Sequence, residues 1–393
     1  MKTRMAVAFL VFTFFGLGVA WCVTADGAVP GWMRVNHSGF DNPDNQVVSC
    51  LLSFNGQLHA GTSNYESGAQ LWSRGVDLAW TAVTTDGFGT PTNTSMEFLA
   101  AFKNQLYAGT ENEATGGEVW RTSPGQPWAR VVEHGFGNAA NAGVHSLIVF
   151  KDALYATTAS YDPTHNLELW RTTTGNRGDW TKKAINGLDV HNALAPALEV
   201  FNGYLYLGTN SFVAGPPMTT TGGEVWRSSD GNAWTQVNAD GFGTIDNSTI
   251  TSLTALNGYL YAGTNGSQGH GAEIWRCQTC ARQSDWSRVV AQGFGDPSHG
   301  GTTALAVYNG RLYAAVGSSA NGLSVWRTAN GTDWEALAAQ GFGGAGNRGP
   351  YWGERGWAVH NNQLYLGTIN FGHGGEVWLF LPNRVYLPVL RRG

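Results

Sequence analysis

The sequence contains a repeated segment, and three side chains that could act in catalysis or binding occupy positions where single copies differ from the others. Glu97, His145 and Arg355 occupy equivalent positions in a segment that recurs along the chain. The other copies carry small or neutral residues there: Ser49, Pro196, Thr251 and Thr303. A histidine base beside a charge-neutralising arginine is the pairing that a polysaccharide lyase would use. We predict that these three side chains converge on one site.

An insertion at 349–357, "GPYWGERGW", adds Tyr351, Trp352 and Glu354. Aromatic rings beside polar groups suit a sugar, because the rings stack on its apolar face and the polar groups bind its hydroxyls. Glu97 and Glu354 would also supply the two carboxylates that a glycosidase needs. Ligand binding by these residues is favoured over catalysis. The interpretation that they are solvated loop residues around a water-filled channel is favoured slightly over binding.

The pattern from which these residues depart is a sevenfold repeat. A tryptophan marker recurs with spacings of 48, 48, 52, 54, 52 and 48 residues, at Trp32, Trp80, Trp128, Trp180, Trp234, Trp286 and Trp334. Most copies hold two short apolar runs joined by a turn such as Asn257-Gly258, followed by a third run such as "GEVWR" (223–227). An Asn-Gly pair supplies the positive φ angles of a two-residue hairpin, so the runs are predicted to be antiparallel strands.

Four antiparallel strands in a repeat of roughly fifty residues predict a β-propeller. The last copy, "GGEVWLF" (374–380), has no tryptophan strand after it, and the strand that begins at Trp32 precedes any complete copy. We therefore predict an all-β, seven-bladed β-propeller of four-stranded antiparallel blades over residues 26–380. The N-terminal strand would complete the last blade, which closes the ring and leaves no open sheet edge.

These features resemble the kelch and Asp-box class of secreted seven-bladed propellers. The Gly-Gly pairs at 116–117, 222–223 and 374–375 are kelch-like, although they stand before the third strand of the repeat. The stretch "SSDGNAW" (228–234) is similar to an Asp-box and is one residue short of the usual spacing. Sialidases and non-enzymatic sugar-binding propellers share this class, so the resemblance implies a fold more than a function. It also implies that ligands bind at the top face, where the longest loops are expected.

Two residue types recur in nearly every copy. The third strand carries a glutamate in most of them, at Glu118, Glu168, Glu224, Glu273 and Glu376. A loop asparagine recurs at Asn45, Asn93, Asn141, Asn247 and Asn347, with Asn192 in the fourth copy. A catalytic site takes its residues from single blades, whereas a residue that recurs in each blade has a structural role in every blade. We predict that the glutamates accept hydrogen bonds from a neighbouring loop and that the asparagines brace turns.

Aromatic residues in the loops after the second strands offer another binding surface: Tyr65, Tyr161, Phe212 and Phe371. One aromatic in each of several blades would suit multivalent binding of a sugar or a protein.

The N-terminus is predicted to direct export. Lys2 and Arg4 precede an apolar run, and residues 23–25 form a small-x-small cleavage site, so residues 1–25 are predicted to be a signal peptide. The apolar run is shorter than a typical membrane-spanning helix. At the other end of the chain, residues 381–393 are predicted to be a C-terminal tail. Without residues 1–25 the chain has 21 basic and 28 acidic residues and no basic stripe, which argues against nucleic acid as a partner.

The three cysteines after the predicted cleavage site cannot complete a four-cysteine zinc site. Cys277 and Cys280 are predicted to form a local disulfide, as suits an exported protein, and Cys50 to be a buried thiol. No metal site and no cofactor are predicted.

We therefore predict a secreted or cell-surface, monomeric propeller that binds a glycan or another extracellular partner through its top-face loops. Two alternatives stay open: a carbohydrate-active enzyme, either glycoside hydrolase or polysaccharide lyase, and a structural module without small-ligand activity.

Overall fold

The structure is a computed structural model that describes residues 29–162, 164–188, 191–211, 220–266, 269–301, 303–344, 346–349 and 353–382, without the side chains of Gly353 and Glu354. The predicted signal peptide, Phe212, Tyr351, Trp352 and residues 383–393 of the predicted tail lie outside the described residues.

Strands dominate the regular structure, which confirms the all-β prediction. In chain order they are β1 Trp32–Arg34, β2 Val47–Phe54, β3 Gln57–Ser63, β4 Leu71–Arg74, β5 Trp80–Thr84, β6 Ser95–Phe102, β7 Gln105–Glu111, β8 Val119–Thr122, β9 Ala129–Val132, β10 Gly143–Phe150, β11 Ala153–Ala159, β12 Leu169–Thr172, β13 Thr181–Lys183, β14 Asn192–Phe201, β15 Tyr204–Ser211, β16 Val225–Ser228, β17 Thr235–Gln236, β18 Ile250–Leu256, β19 Tyr259–Thr264, β20 Ile274–Cys277, β21 Ser287–Val290, β22 Thr303–Tyr308, β23 Arg311–Val316, β24 Ser324–Thr328, β25 Trp334–Ala338, β26 Trp357–His360, β27 Gln363–Gly367 and β28 Val377–Phe380.

The helices are single turns of three or four residues. They span Ser38–Asp41, His134–Gly137, Asp240–Gly243, Gln283–Asp285, Gln292–Gly295, Gln340–Gly343 and Gly353–Gly356. Most of them hold a Gly-Phe pair in the left-handed region, as at Gly241 (φ 55°) and Phe242 (φ 57°). This reversal carries the chain from the last strand of one repeat to the first strand of the next.

Within each repeat the strands pair antiparallel with their neighbours in sequence. Strands β18–β21 and β22–β25 form two separate four-stranded sheets, whereas β2–β17 form one sheet of sixteen strands. Single residue pairs between β3 and β6, β7 and β10, and β11 and β14 join its four-stranded parts. No sheet among the described strands closes on itself.

The N-terminal strand pairs with the C-terminal end of the repeats. Strand β1 lies antiparallel to β28 and completes a four-stranded sheet in the order β1-β28-β27-β26. Trp32 lies opposite Phe380, and Arg34 lies opposite Trp378. The first and last repeats also meet at Val47 and Ile369, which form an isolated bridge.

Aromatic stacking fixes each Gly-Phe turn against the repeat that follows it. The phenylalanine stacks on the tryptophan of that repeat's third strand, at centroid distances of 4.4–4.9 Å, in the pairs Phe40–Trp72, Phe88–Trp120, Phe136–Trp170, Phe242–Trp275, Phe294–Trp326 and Phe342–Trp378. The same ring also meets the marker tryptophan of the fourth strand, as in Phe40–Trp80 and Phe294–Trp334. Each connection is therefore anchored by aromatic burial.

The repeated glutamates and asparagines are structural, as predicted. Each asparagine donates to the glycine carbonyl of its own loop and to the acid or amide of the third strand, for example Asn247 to Gly241 (3.0 Å) and Glu273 (2.8 Å). Where this residue is a glutamate, it directly precedes the third strand and also accepts the indole N–H of that strand's tryptophan, as in Trp275 to Glu273 (2.8 Å). Asn192 donates to Glu224 at 3.1 Å and so fills the same role.

The stretch similar to an Asp-box is a braced turn. The Asp230 carboxylate accepts the backbone N–H groups of Asn232 (2.8 Å) and Ala233 (2.9 Å), and these bonds lower the pKa of Asp230 to about 2. Cys277 and Cys280 form the predicted disulfide, and Cys50 is a buried free thiol. Burial raises the pKa of Cys50 to about 12, so its sulfur is not a nucleophile at neutral pH.

Candidate functional site

Bulges in two neighbouring first strands present the acid and the base of the predicted site. Glu97 is the unpaired residue of a bulge in β6, between Met96 and Phe98. His145 is the unpaired residue of a bulge in β10, between Val144 and Ser146. A bulge re-aims a side chain that would otherwise follow the pleat. The equivalent residues Ser49 and Thr251 lie in similar bulges, so the bulge belongs to the repeat and only the side chains distinguish Glu97 and His145.

Arg355 reaches these strands from the turn Gly353–Gly356, which packs against the first strands β2, β14, β18 and β22. Its Nη1 donates to the Glu97 carboxylate at 2.8 Å and to the Glu97 carbonyl at 3.1 Å, and its Nη2 donates to the Pro196 carbonyl at 3.4 Å. The guanidinium carbon also lies 5.5 Å from the ring centroid of Phe98. Arg355 thus connects the turn Gly353–Gly356 to Glu97 in β6 and to Pro196 in β14.

The structure brings Glu97, His145 and Arg355 together and adds an acid that the sequence analysis missed. The His145 Nε2 atom lies 3.5 Å from Glu97 Oε2 and 3.6 Å from Glu111 Oε2. Glu111 ends the second strand of its repeat, at a position where the other copies carry uncharged residues: Ser63, Ala159, Asn210, Asn265, Gly317 and Ile369. A comparison of that second position between copies would have found it. We call Glu97, Glu111, His145 and Arg355 the ionic cluster.

The ionic cluster is buried, so the interpretation of its predicted members as solvated loop residues is wrong. Relative exposure is 0% for Glu97, 1% for His145 and 3% for Arg355. Burial opposes ionisation of Glu111, but contact with His145, the Tyr161 hydroxyl and the charge of Arg355 outweigh it and lower the pKa of Glu111. The Glu97 carboxylate is therefore not accessible to a substrate in this conformation.

Two tyrosines lie at the outer side of the ionic cluster. The Tyr161 hydroxyl donates to Glu111 Oε2 at 2.7 Å, while the residue stays 48% exposed. Tyr65 is 53% exposed, and burial of its hydroxyl together with the nearby charges of Glu111, Glu97 and Glu113 raises the pKa of Tyr65 to about 12. Tyr65 and Tyr161 belong to the loops after the second strands of the first and third repeats, on either side of Glu111 in the second.

A cavity of about 280 Å³ lies on the inner side of Arg355. Its lining is mainly apolar and comes from several first strands, with Cys50, Leu52, Phe98, Leu305 and Trp357 among its residues. Glu199 occupies the position in β14 that Leu52 occupies in β2, but it is not among the residues that line the cavity; burial raises the pKa of Glu199 to about 7. The cavity therefore offers shape and apolar contact but few polar groups to orient a ligand.

Glu97, Glu111 and His145 present one donor atom each, all within 4.8 Å of one another, and could hold a metal ion. No other group of three such residues is found among the residues that the structure describes.

Phe371 is 52% exposed and lies near Arg348, in the last repeat. The side chain of Glu354 is not described, so its pairing with Glu97 stays a prediction.

Comparisons with known structures place the fold among β-propellers. The chain is similar to the β-propeller domain of the Trilobed protease from Pyrococcus furiosus, with a TM-score of 0.50, 7% identity, and coverage of 88% of this chain and 98% of that one. It is also similar to a protein of unknown function from Dyadobacter fermentans, with a TM-score of 0.50, 11% identity, and coverage of 90% and 100%. No protein-family model and no curated protein matches the sequence. At these identities the likeness shows the fold alone.

None of the helices in the described part of the chain is long and apolar enough to cross a membrane.

Proposed function

We propose that this chain is an exported, monomeric, seven-bladed β-propeller whose N-terminal strand closes the ring and whose top face binds a glycan. The closed ring is supported by the pairing of β1 with β28. It is also supported by Phe342, which packs on Trp378 and Trp32 as Phe40 packs on Trp72 and Trp80. Trp32 thus takes the place that a fourth-strand tryptophan takes in the other repeats.

The observation that carries the binding proposal is the pair of half-exposed tyrosines beside Glu111. Tyr161 and Tyr65 come from different repeats and flank one carboxylate. Aromatic rings stack on the apolar face of a sugar, and a carboxylate and hydroxyl groups bind its hydroxyls. The Tyr161 ring is also held by its hydrogen bond to Glu111, so it loses little conformational freedom on binding.

Binding is preferred to catalysis because Glu97 is already engaged. Its carboxylate is fully buried and bonded to Arg355, so it is not positioned to flank a glycosidic bond. His145 is equally inaccessible to a polymer substrate. Binding at the tyrosines needs no such access.

A glycan array followed by calorimetry with the best ligand tests this proposal. Tyr65→Ala and Tyr161→Ala should each weaken binding by roughly tenfold, since each removes a stacking contact worth about 0.5–1.5 kcal/mol in addition to the apolar area that it buries. Phe371→Ala is the matched control, because Phe371 is a comparably exposed aromatic in the equivalent loop of the last repeat and should leave this affinity unchanged.

An array without any bound glycan would refute the proposal. So would a glycan whose affinity is insensitive to both tyrosine substitutions. Turnover of a polysaccharide that disappears with Glu97→Gln would instead establish the carbohydrate-active enzyme.

A further inference from the structure

We propose that Glu97, Glu111 and His145 form a binding site for a first-row divalent transition-metal ion such as Zn²⁺. The three side chains come from β6, β7 and β10, two adjacent repeats of the sheet. They supply one imidazole nitrogen and two carboxylate oxygens, all within 4.8 Å of one another. This inference does not rest on the proposed glycan binding.

His145 is the independent observation behind the site. Its ring is 1% exposed, and neither ring nitrogen forms a hydrogen bond with any residue that the structure describes. The Nε2 contacts of 3.5 Å and 3.6 Å are longer than the usual range for N–H···O hydrogen bonds, about 2.7–3.2 Å. A buried imidazole without hydrogen bonds is destabilising, whereas a metal ion would accept the lone pair of its ring nitrogen.

The distances suit coordination better than hydrogen bonding. Nitrogen and oxygen ligands bind Zn²⁺ at about 2.0–2.2 Å, so two donors of a tetrahedral site lie about 3.3–3.5 Å apart. The distances from His145 Nε2 to the two carboxylate oxygens exceed this by only a few tenths of an ångström. A small movement of Glu97 and Glu111 towards each other would complete three ligands and leave a fourth position for water.

The donor set selects the class of ion. Imidazole with carboxylates suits Zn²⁺ and its first-row neighbours, whereas Ca²⁺ and Mg²⁺ prefer oxygen ligands alone. Charge also favours a dication, because an imidazole that binds a metal through its lone pair carries no charge and one guanidinium faces two buried carboxylates.

Arg355 and Tyr161 would act as supporting groups. The Arg355 guanidinium donates to Glu97 Oε2, and the Tyr161 hydroxyl donates to Glu111 Oε2. Hydrogen bonds of this kind orient ligating carboxylates in metal sites. Their positive and polar character lowers the affinity of the carboxylates for a cation, so we expect micromolar rather than picomolar binding.

The test is a titration of the full chain with Zn²⁺ after chelator treatment, in the absence of any glycan. One equivalent should bind with a dissociation constant of about 10 µM or tighter. His145→Ala should weaken binding by about 100-fold and Glu111→Gln by about tenfold, as expected for lost ligands. His165→Ala is the matched control, because His165 Nε2 lies 3.5 Å from Glu168 but is hydrogen-bonded to Asn141; it should bind normally.

A second measurement needs no variant. Co²⁺ added to the wild-type chain should produce the intense visible absorption of a four-coordinate ion, and Zn²⁺ should abolish it. A folded wild-type chain that binds less than about 0.1 equivalent of Zn²⁺ at 1 mM, or Co²⁺ that keeps the spectrum of its aqua ion, would overturn the site. Equal weakening by His165→Ala would also overturn it.

Discussion

Arg355 shows what a charged residue requires when it lies inside a protein. Its guanidinium bonds the Glu97 carboxylate and the carbonyl groups of Glu97 and Pro196, and both side chains of the ion pair are buried. Removing two charges from water costs several kcal/mol for each ion, and only close pairing with further hydrogen bonds offsets that cost. Each member of the pair therefore depends on the other.

Replacement of one partner should be costly. Arg355→Met should lower the free energy of unfolding by about 3–5 kcal/mol, because it leaves the Glu97 carboxylate buried without its cation. The double variant Glu97→Gln/Arg355→Met should recover part of this loss. Urea denaturation with chelator present measures both effects.

Arg348→Met provides the control, since Arg348 is an exposed arginine beside the Phe371 ring and its replacement should change the free energy of unfolding little. A loss below about 1 kcal/mol for Arg355→Met would contradict the structural role given to the pair.

At the scale of elements, the turn before the third strand packs closely against the backbone of a Gly-Phe turn. Gly222 has φ +104°, and a Cβ atom there would lie 2.5 Å from the Gly241 nitrogen and 2.7 Å from the Asp240 carbonyl carbon. Gly116 and Gly374 meet the Gly-Phe turn in the same way, at Gly135 and Gly39. The first glycine of each kelch-like pair therefore allows the turn before the third strand to pack against the Gly-Phe turn.

Gly222→Ala should accordingly lower the free energy of unfolding by about 2–4 kcal/mol, because backbone atoms must move to admit the methyl group. Gly258→Ala isolates the effect of backbone conformation, since Gly258 also has a positive φ (+77°) but would meet nothing within 4 Å. It should cost only about 1 kcal/mol. Thermal or chemical denaturation gives both values, and equal losses would refute the packing explanation.

The whole molecule depends on contact between its two ends. Trp32 is 1% exposed and packs on Phe342 and Phe380 at 5.1 and 5.0 Å between ring centroids. Strand β1 also covers the edge of β28, which would otherwise present unpaired N–H and C=O groups. We expect the last four-stranded sheet to unfold together with β1, because this pairing leaves neither strand with an unpaired edge there.

Trp32→Ala should therefore lower the free energy of unfolding by about 3–5 kcal/mol, which is the usual cost of removing a buried tryptophan. Trp334→Ala is the matched comparison, because Trp334 holds the same position in the sixth repeat and packs on Phe294. If Trp32→Ala were nearly neutral while Trp334→Ala was costly, β1 would not be a structural part of the sheet that it forms with β28, β27 and β26.

Several features of the fold could be predicted because they are local and repeated. Apolar runs, Asn-Gly turns and glycine pairs carry their conformational preferences with them, and seven copies average out the irregular ones. The same comparison separated the bracing glutamates and asparagines from Glu97, His145 and Arg355. Glu111 was missed because only one strand of the repeat was compared for departures.

The sequence by itself determined the strand pattern, the repeat, the aromatic markers and the positions that break the repeat, since all of these are set by residue type and spacing. Only the tertiary structure decided that Glu97, His145 and Arg355 are buried together, that Glu111 joins them, and that Tyr65 and Tyr161 lie outside them. The physical reason is that these residues come from different repeats. Their distances depend on how the repeats pack and on bulges and a single helical turn, and no local spacing encodes them.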